Sequence, residues 1–144
     1  MMRVVVDTSV IVSGLISAKG SPAFIIARWI QGEFILLYSP AMLAELEDVL
    51  NRAWLTERLT ATPNRVHDFL SAVRVMGELV SGYAQVSGVV RDPFDEMFLA
   101  CSLLGRADYL VTVDKDLLVL QQYEQTRIMK PAAFLGKLED AHDS

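Results

Sequence analysis

The chain has 144 residues, 52% of them hydrophobic, and 13 Lys+Arg against 18 Asp+Glu give a net charge of −5. That length favours one domain able to bury a real core, and the apolar content excludes a disordered chain. The acidic balance speaks against a nucleic-acid binder held by a broad basic surface.

One cysteine, Cys101, excludes an internal disulfide, and His67 and His142 are too few for a recognisable zinc cluster. A reducing cytoplasm is the expected setting. No membrane is expected either, because no charge-free stretch approaches the about 18 residues that a span needs. The apolar N-terminus is broken by Asp7, and no signal-peptide cleavage pattern follows.

Val4, Val5 and Val6 are β-branched and predict a short strand buried on both faces. Asp7-Thr8-Ser9 stops it, and Val10, Ile11, Leu15 and Ile16 predict a helical turn or two. Ser21-Pro22 starts a helix that runs to about Gln31 and ends at Gly32. Residues 34–38 read as a second strand. Ser39-Pro40 then opens a helix through about Asn51, with Leu43, Leu46, Val49 and Leu50 as its buried stripe.

A longer helix is expected from Asn64 to about Val80, with Val66, Phe69, Leu70, Val73 and Met76 on one side. Residues 81–90 read as loop with room for an edge strand. Asp92-Pro93 starts a helix that ends at Gly105, and residues 109–113 form a third strong strand. A short helix over 117–122, a strand at Ile128-Met129 and a helix over 131–138 complete the domain, leaving 139–144 as a polar, frayed tail. Strands alternating with amphipathic helices imply one three-layer α/β/α domain over residues 1–138, with a central, mainly parallel sheet of four to five strands.

Sites in such sheets form beyond the carboxyl ends of the strands. Two strands run directly into aspartate, at Asp7 and at Asp114, with Asp116 two residues on. Glu45 lies in the second turn of the helix after the second strand, and Asp95 in the first turn after Asp92-Pro93. Each acid has a plain structural use. Asp7, Asp92, Asp114 and Asp116 are good helix caps, Asp95 suits a helix N-terminus, and Glu45 alone reads as a solvated helix residue. Together they are harder to dismiss. Two charges about 4 Å apart repel by on the order of 4 kcal/mol at an effective dielectric near 20, so converging carboxylates need cations or protons. All-oxygen donors suit Mg²⁺ or Mn²⁺.

At this point a resemblance is visible in four segments. They are Val-Val-Asp7-Thr8-Ser9-Val, Ser39-Pro40 with Glu45-Leu46 and Val49-Leu50, Arg91-Asp92-Pro93-Phe94-Asp95-Glu96-Met97-Phe98-Leu99-Ala100, and Ala107-Asp108-Tyr109-Leu110-Val111-Thr112-Val113-Asp114-Lys115-Asp116-Leu117-Leu118. In this order they resemble PIN-domain proteins, most closely the short VapC-like toxins of toxin–antitoxin modules. The likeness runs from about Arg3 to Leu135, and no one motif in it is specific alone.

The resemblance implies a PIN-like fold and a metal-dependent ribonuclease using Mg²⁺ or Mn²⁺. Its four core acids fall on Asp7, Glu45, Asp95 and Asp114. Asp7 would be the central ligand, with Asp95 and Asp114 binding metal directly or through water. Glu45 would complete the pocket, and Asp116 would assist a second ion. Ser9 and Thr112 stand where the family places small residues that organise the site. Asp92 is assigned chiefly to capping, and Glu96 has no assigned role. Activation of water would fall to the metal, because neither histidine lies near these segments.

Arg52, Arg58, Arg65 and Arg74 form a basic run that offers contacts to RNA phosphates, although a solvated helical face explains them equally well. His67 reads as a surface residue and Cys101 as a small core hydrophobe. High apolar content in a small domain points to a covered surface, either in a homodimer or higher oligomer or against an antitoxin protein. Two other readings compete. A haloacid-dehalogenase-like phosphotransferase needs a second Asp where Ser9 stands. A non-catalytic Mg²⁺-binding module is either receiver-like, using Asp7, Thr112 and Lys115, or a degenerate PIN scaffold that binds without cutting. If Asp7, Glu45, Asp92, Asp95, Asp114 and Asp116 share one edge, the rest of the chain is close to neutral, and the acidic balance no longer argues against RNA.

Overall fold

A computed structural model describes residues 1–52 and 63–142. The sheet has six strands in the order β3-β2-β1-β4-β6-β5. They are β1 (Arg3–Val6), β2 (Ile35–Tyr38), β3 (Glu78–Leu79), β4 (Tyr109–Val111), β5 (Gln122–Tyr123) and β6 (Thr126–Met129). All neighbours pair in parallel except β5 and β6. The sheet is thus larger than the four to five strands expected, because β3 and β5 are two-residue edge strands too short to leave a pattern in the sequence.

The parallel core strands are buried on both faces, which is why they read as unbroken apolar runs. Val4, Val6, Leu36 and Val111 face one core with Ile11, Leu15, Ile25, Trp29, Phe69 and Phe134. Val5, Leu37, Leu110 and Ile128 face the other with Phe98, Leu99, Cys101 and Leu117. The first core is covered by α1 (Thr8–Ile16), α2 (Ser21–Ile30), α4 (Pro63–Met76) and α7 (Pro131–His142), the second chiefly by α5 (Glu96–Leu104) and α6 (Lys115–Leu118). α3 (Pro40–Leu50) serves both, with Met42 in one core and Leu46 and Leu50 in the other. This is the expected α/β/α arrangement with a mainly parallel sheet. Among the described residues no single helix is long and apolar enough to cross a membrane.

Several boundaries move for physical reasons. The helix expected to reach Val80 stops at Met76, because Gly77 breaks it and Glu78–Leu79 pairs with Leu37 and Tyr38 of β2. A Cβ on Gly77 would lie 2.5 Å from the Val73 carbonyl oxygen and 3.0 Å from the Tyr38 ring. The edge strand therefore precedes the 81–90 segment instead of lying inside it. The C-terminal helix runs on to His142, so residues 139–142 are helical rather than a frayed tail. The helix expected at 117–122 is the single turn Lys115–Leu118, capped by Asp114.

The chain lays down β1, β2 and β3 outward on one side, then returns to build β4, β6 and β5 on the other. The order reverses between β1 and β4, and in open α/β sheets the crevice beyond the carboxyl ends at such a reversal is where ligands bind. Asp7 follows β1 there, and Thr112, Val113 and Asp114 follow β4.

Candidate metal centre

The ladder fixes the site backbone on both strands. Asp7 donates its amide to the Val111 carbonyl at 3.0 Å, and Thr112 donates its amide to Met129 at 3.0 Å. Asp7 is the N-cap of α1 and only 4% exposed. Its Oδ1 accepts the Ser9 hydroxyl at 2.7 Å and the Val10 amide at 3.1 Å, while its Oδ2 accepts the Thr112 hydroxyl. The fully buried Thr112 oxygen in turn accepts the Asp114 amide at 3.0 Å. Thr112 therefore ties the ends of β1 and β4 together, and Ser9 and Thr112 are where the resemblance put the organising residues.

Asp114 caps α6, its Oδ1 accepting the Asp116 amide at 2.8 Å and the Leu117 amide at 3.4 Å. Asp92 caps the 3-10 turn Pro93–Asp95, accepting the Phe94 amide at 3.0 Å, as its capping assignment requires. That turn carries Asp95 inward to 5% exposure, and Glu96 begins α5 beside it.

Asp95, Asp114 and Asp116 each offer one oxygen such that the three atoms lie within 4.8 Å of one another. Asp95 Oδ2 is buried and has no hydrogen-bond partner. A buried carboxylate oxygen left unpaired is costly unless something occupies it. The Asp95 carboxyl is pushed up to about 7, by burial first, then by the adjacent Asp114 carboxylate, with the charges of Asp92 and Asp7 adding to it. Three converging carboxylates, one of which carries an orphaned oxygen, fit a hard divalent cation.

Asp7 and Glu45 stand outside this trio. Asp7 lies close enough to act on Asp95 by its charge, but both its oxygens are engaged by Ser9, Val10 and Thr112. Glu45 is half-buried on α3, which packs against α1 and α5. The oxygens that lie closest together are thus those of Asp95, Asp114 and Asp116, with the Asp7 charge beside them.

The described arginines of the run each have a partner within the chain. Arg74 pairs with Glu47, Arg52 reaches Asp48 at 3.4 Å, and Arg65 donates to the Gly14 carbonyl at 3.3 Å. Arg58 lies outside the described residues. Among the described residues Arg91 reaches the acids, its guanidinium donating to Asp116 Oδ1 at 3.0 Å. Its place in the Arg91-Asp92-Pro93 turn was visible, but sequence reasoning gave it no role. His67 is exposed and Cys101 is buried, and burial pushes the Cys101 thiol up to about 12, out of reactive range.

One buried and two half-buried carboxylates converge where a mainly parallel sheet reverses its strand order, an arrangement suited to a divalent cation. The PIN domain family model matches residues 3–116, and the chain belongs to that family. PIN domains are generally metal-dependent nucleases, and the acidic cluster here accords with that activity. The chain matches none of the curated proteins it was compared with.

Proposed function

We propose that this protein is an Mg²⁺- or Mn²⁺-dependent endoribonuclease and acts as the toxin of a toxin–antitoxin pair in the cytoplasm. The observation that carries the nuclease reading is the orphaned, buried Asp95 oxygen within the Asp95–Asp114–Asp116 trio. Asp95, Asp114 and Asp116 would hold the ion, and a bound divalent cation activates water and offsets charge developing at phosphorus. Asp7 adds its charge beside Asp95 and Glu45 would complete the pocket, while Ser9 and Thr112 hold the Asp7 carboxylate in a fixed orientation.

The toxin reading rests on the resemblance of the four sequence segments to VapC-like toxins, and a basic side chain of an antitoxin would block the same acids. Exposed apolar side chains, among them Phe24 and Ile30 on α2 and Val75 and Leu79 near the β3 edge, support an additional covered surface in a homodimer or antitoxin complex. Incubating the purified protein with a mixed RNA pool in Mg²⁺, Mn²⁺ or chelator tests the activity. Cleavage should need metal and disappear in Asp7→Asn, which leaves the fold intact. Chelator-resistant cleavage, or an Asp7→Asn variant as fast as the parent, overturns the assignment.

A further inference from the structure

The turn that delivers Asp95 also carries two side chains that the metal site does not use. Arg91 has an 86% exposed side chain whose guanidinium meets Asp116, one of the three acids of the trio. Phe94 is 49% exposed, although it directly precedes the buried Asp95. Their backbone is rigid. Pro93 fixes its own φ, the Asp92 carboxylate accepts the Phe94 amide, and the Asp95 amide returns to the Asp92 carbonyl at 3.0 Å. The same short, hydrogen-bonded turn thus carries a guanidinium that touches one of the acids and an exposed phenyl ring next to another.

We propose that the Arg91–Asp95 turn is the single-strand-gripping edge of the site, Arg91 holding a phosphate and Phe94 stacking on a base. The proposal rests on the nuclease reading. An exposed Arg–carboxylate pair contributes little by itself, so a cation taken up by Asp116 readily releases the guanidinium. Arg presents a planar fork matched to phosphate oxygens, and a free aromatic face stacks on any base without selecting its identity. An acidic pocket repels RNA on its own, and an arginine beside Asp116 offsets that repulsion next to the acids.

The test is fluorescence anisotropy of a labelled, mixed-sequence single-stranded RNA 12-mer in Mn²⁺, made in the Asp7→Asn background so that the probe survives. Arg91→Ala should weaken binding roughly tenfold and lower the slope of log affinity against log salt by about 0.7, as expected for one lost single-strand phosphate contact. Phe94→Ala should weaken binding roughly tenfold with the slope unchanged, and Phe94→Trp should restore it. Both side chains are exposed, so circular dichroism should remain parental for each. Either variant binding RNA as its background does, or an unchanged salt slope in Arg91→Ala, overturns the proposal. If the parent protein cuts no RNA in Mn²⁺, the nuclease reading falls and takes this one with it. A parent that cuts RNA while the turn variants bind normally overturns this inference alone.

Discussion

Thr112 donates its hydroxyl to Oδ2 of Asp7, 105 positions away in the chain, across the seam where β1 and β4 run side by side. The same hydroxyl oxygen accepts the Asp114 amide at 3.0 Å, so one buried side chain ties two acids of the site. Thr112→Val keeps the shape and removes the hydroxyl, leaving a carboxylate oxygen and an amide without their partner. We expect a loss of about 1–3 kcal/mol in unfolding free energy and weaker Mn²⁺ binding, with Thr112→Ser close to the parent in both. Urea denaturation of the three proteins decides it, and a Thr112→Val as stable as the parent removes the bridge from this account.

The Asp95 carboxyl, pushed up to about 7 by burial and then by Asp114, sets a pH dependence opposite to that of a salt-bridged acid. Its ordinary value is 3.8, so between there and about 7 the folded protein holds a proton that the unfolded chain has lost. Without metal, the stability linked to this proton is fully present below about pH 4 and is lost as the pH rises through about 7. Asp95→Asn abolishes that slope. Divalent metal needs the ionised form, so Mn²⁺ affinity should fall below pH 7 and metal should stabilise most at high pH. Thermal melts at pH 4.5, 6 and 8, with and without Mn²⁺, check both signs. Metal-free stability that rises across this range in the parent, and not in Asp95→Asn, contradicts the assignment.

The parallel strands were legible because burial on both faces leaves unbroken apolar runs, as in Val4-Val5-Val6 and Leu36-Leu37. The acids at their carboxyl ends could be placed because strand ends fix where residues emerge. The two-residue strands Glu78–Leu79 and Gln122–Tyr123 left no trace, since two residues cannot show a period. Asp95, Asp114 and Asp116 were all named from the resemblance, but what brings their oxygens together was hidden. The 3-10 turn buries Asp95 and the α6 cap sets Asp114 beside Asp116, and neither local geometry can be read from spacing. The pairing of Arg91 with Asp116 spans 25 positions and depends on how two loops meet.

Gly14 lies on α1 where α2 crosses most closely. A Cβ there would sit 2.8 Å from the Pro22 carbonyl oxygen and 2.5 Å from Ile26 Cδ1. Ile26 can move, but the carbonyl belongs to backbone held in α2. Gly14→Ala should therefore destabilise by about 1–3 kcal/mol, despite alanine's better helix propensity. The metal trio lies on other elements, so Mn²⁺ affinity of the folded variant should stay parental. A melting temperature at or above that of the parent refutes the tight crossing.

Asp114 has two separable jobs, capping α6 through Oδ1 and bringing negative charge to the trio. Asparagine caps a helix about as well as aspartate, whereas alanine does not. Asp114→Asn should therefore melt near the parent yet bind Mn²⁺ at least tenfold more weakly, while Asp114→Ala loses the same affinity and about 1 kcal/mol of stability besides. Asp114→Asn also withdraws the neighbouring charge that helps hold Asp95 up, so the pH at which the metal-free protein loses stability should move down toward the ordinary carboxyl range. Calorimetric Mn²⁺ titration with pH-dependent melts separates the two jobs. If Asp114→Asn and Asp114→Ala lose equal stability, the cap is not what Oδ1 supplies. If Asp114→Asn binds Mn²⁺ like the parent, Asp114 is not part of the metal centre.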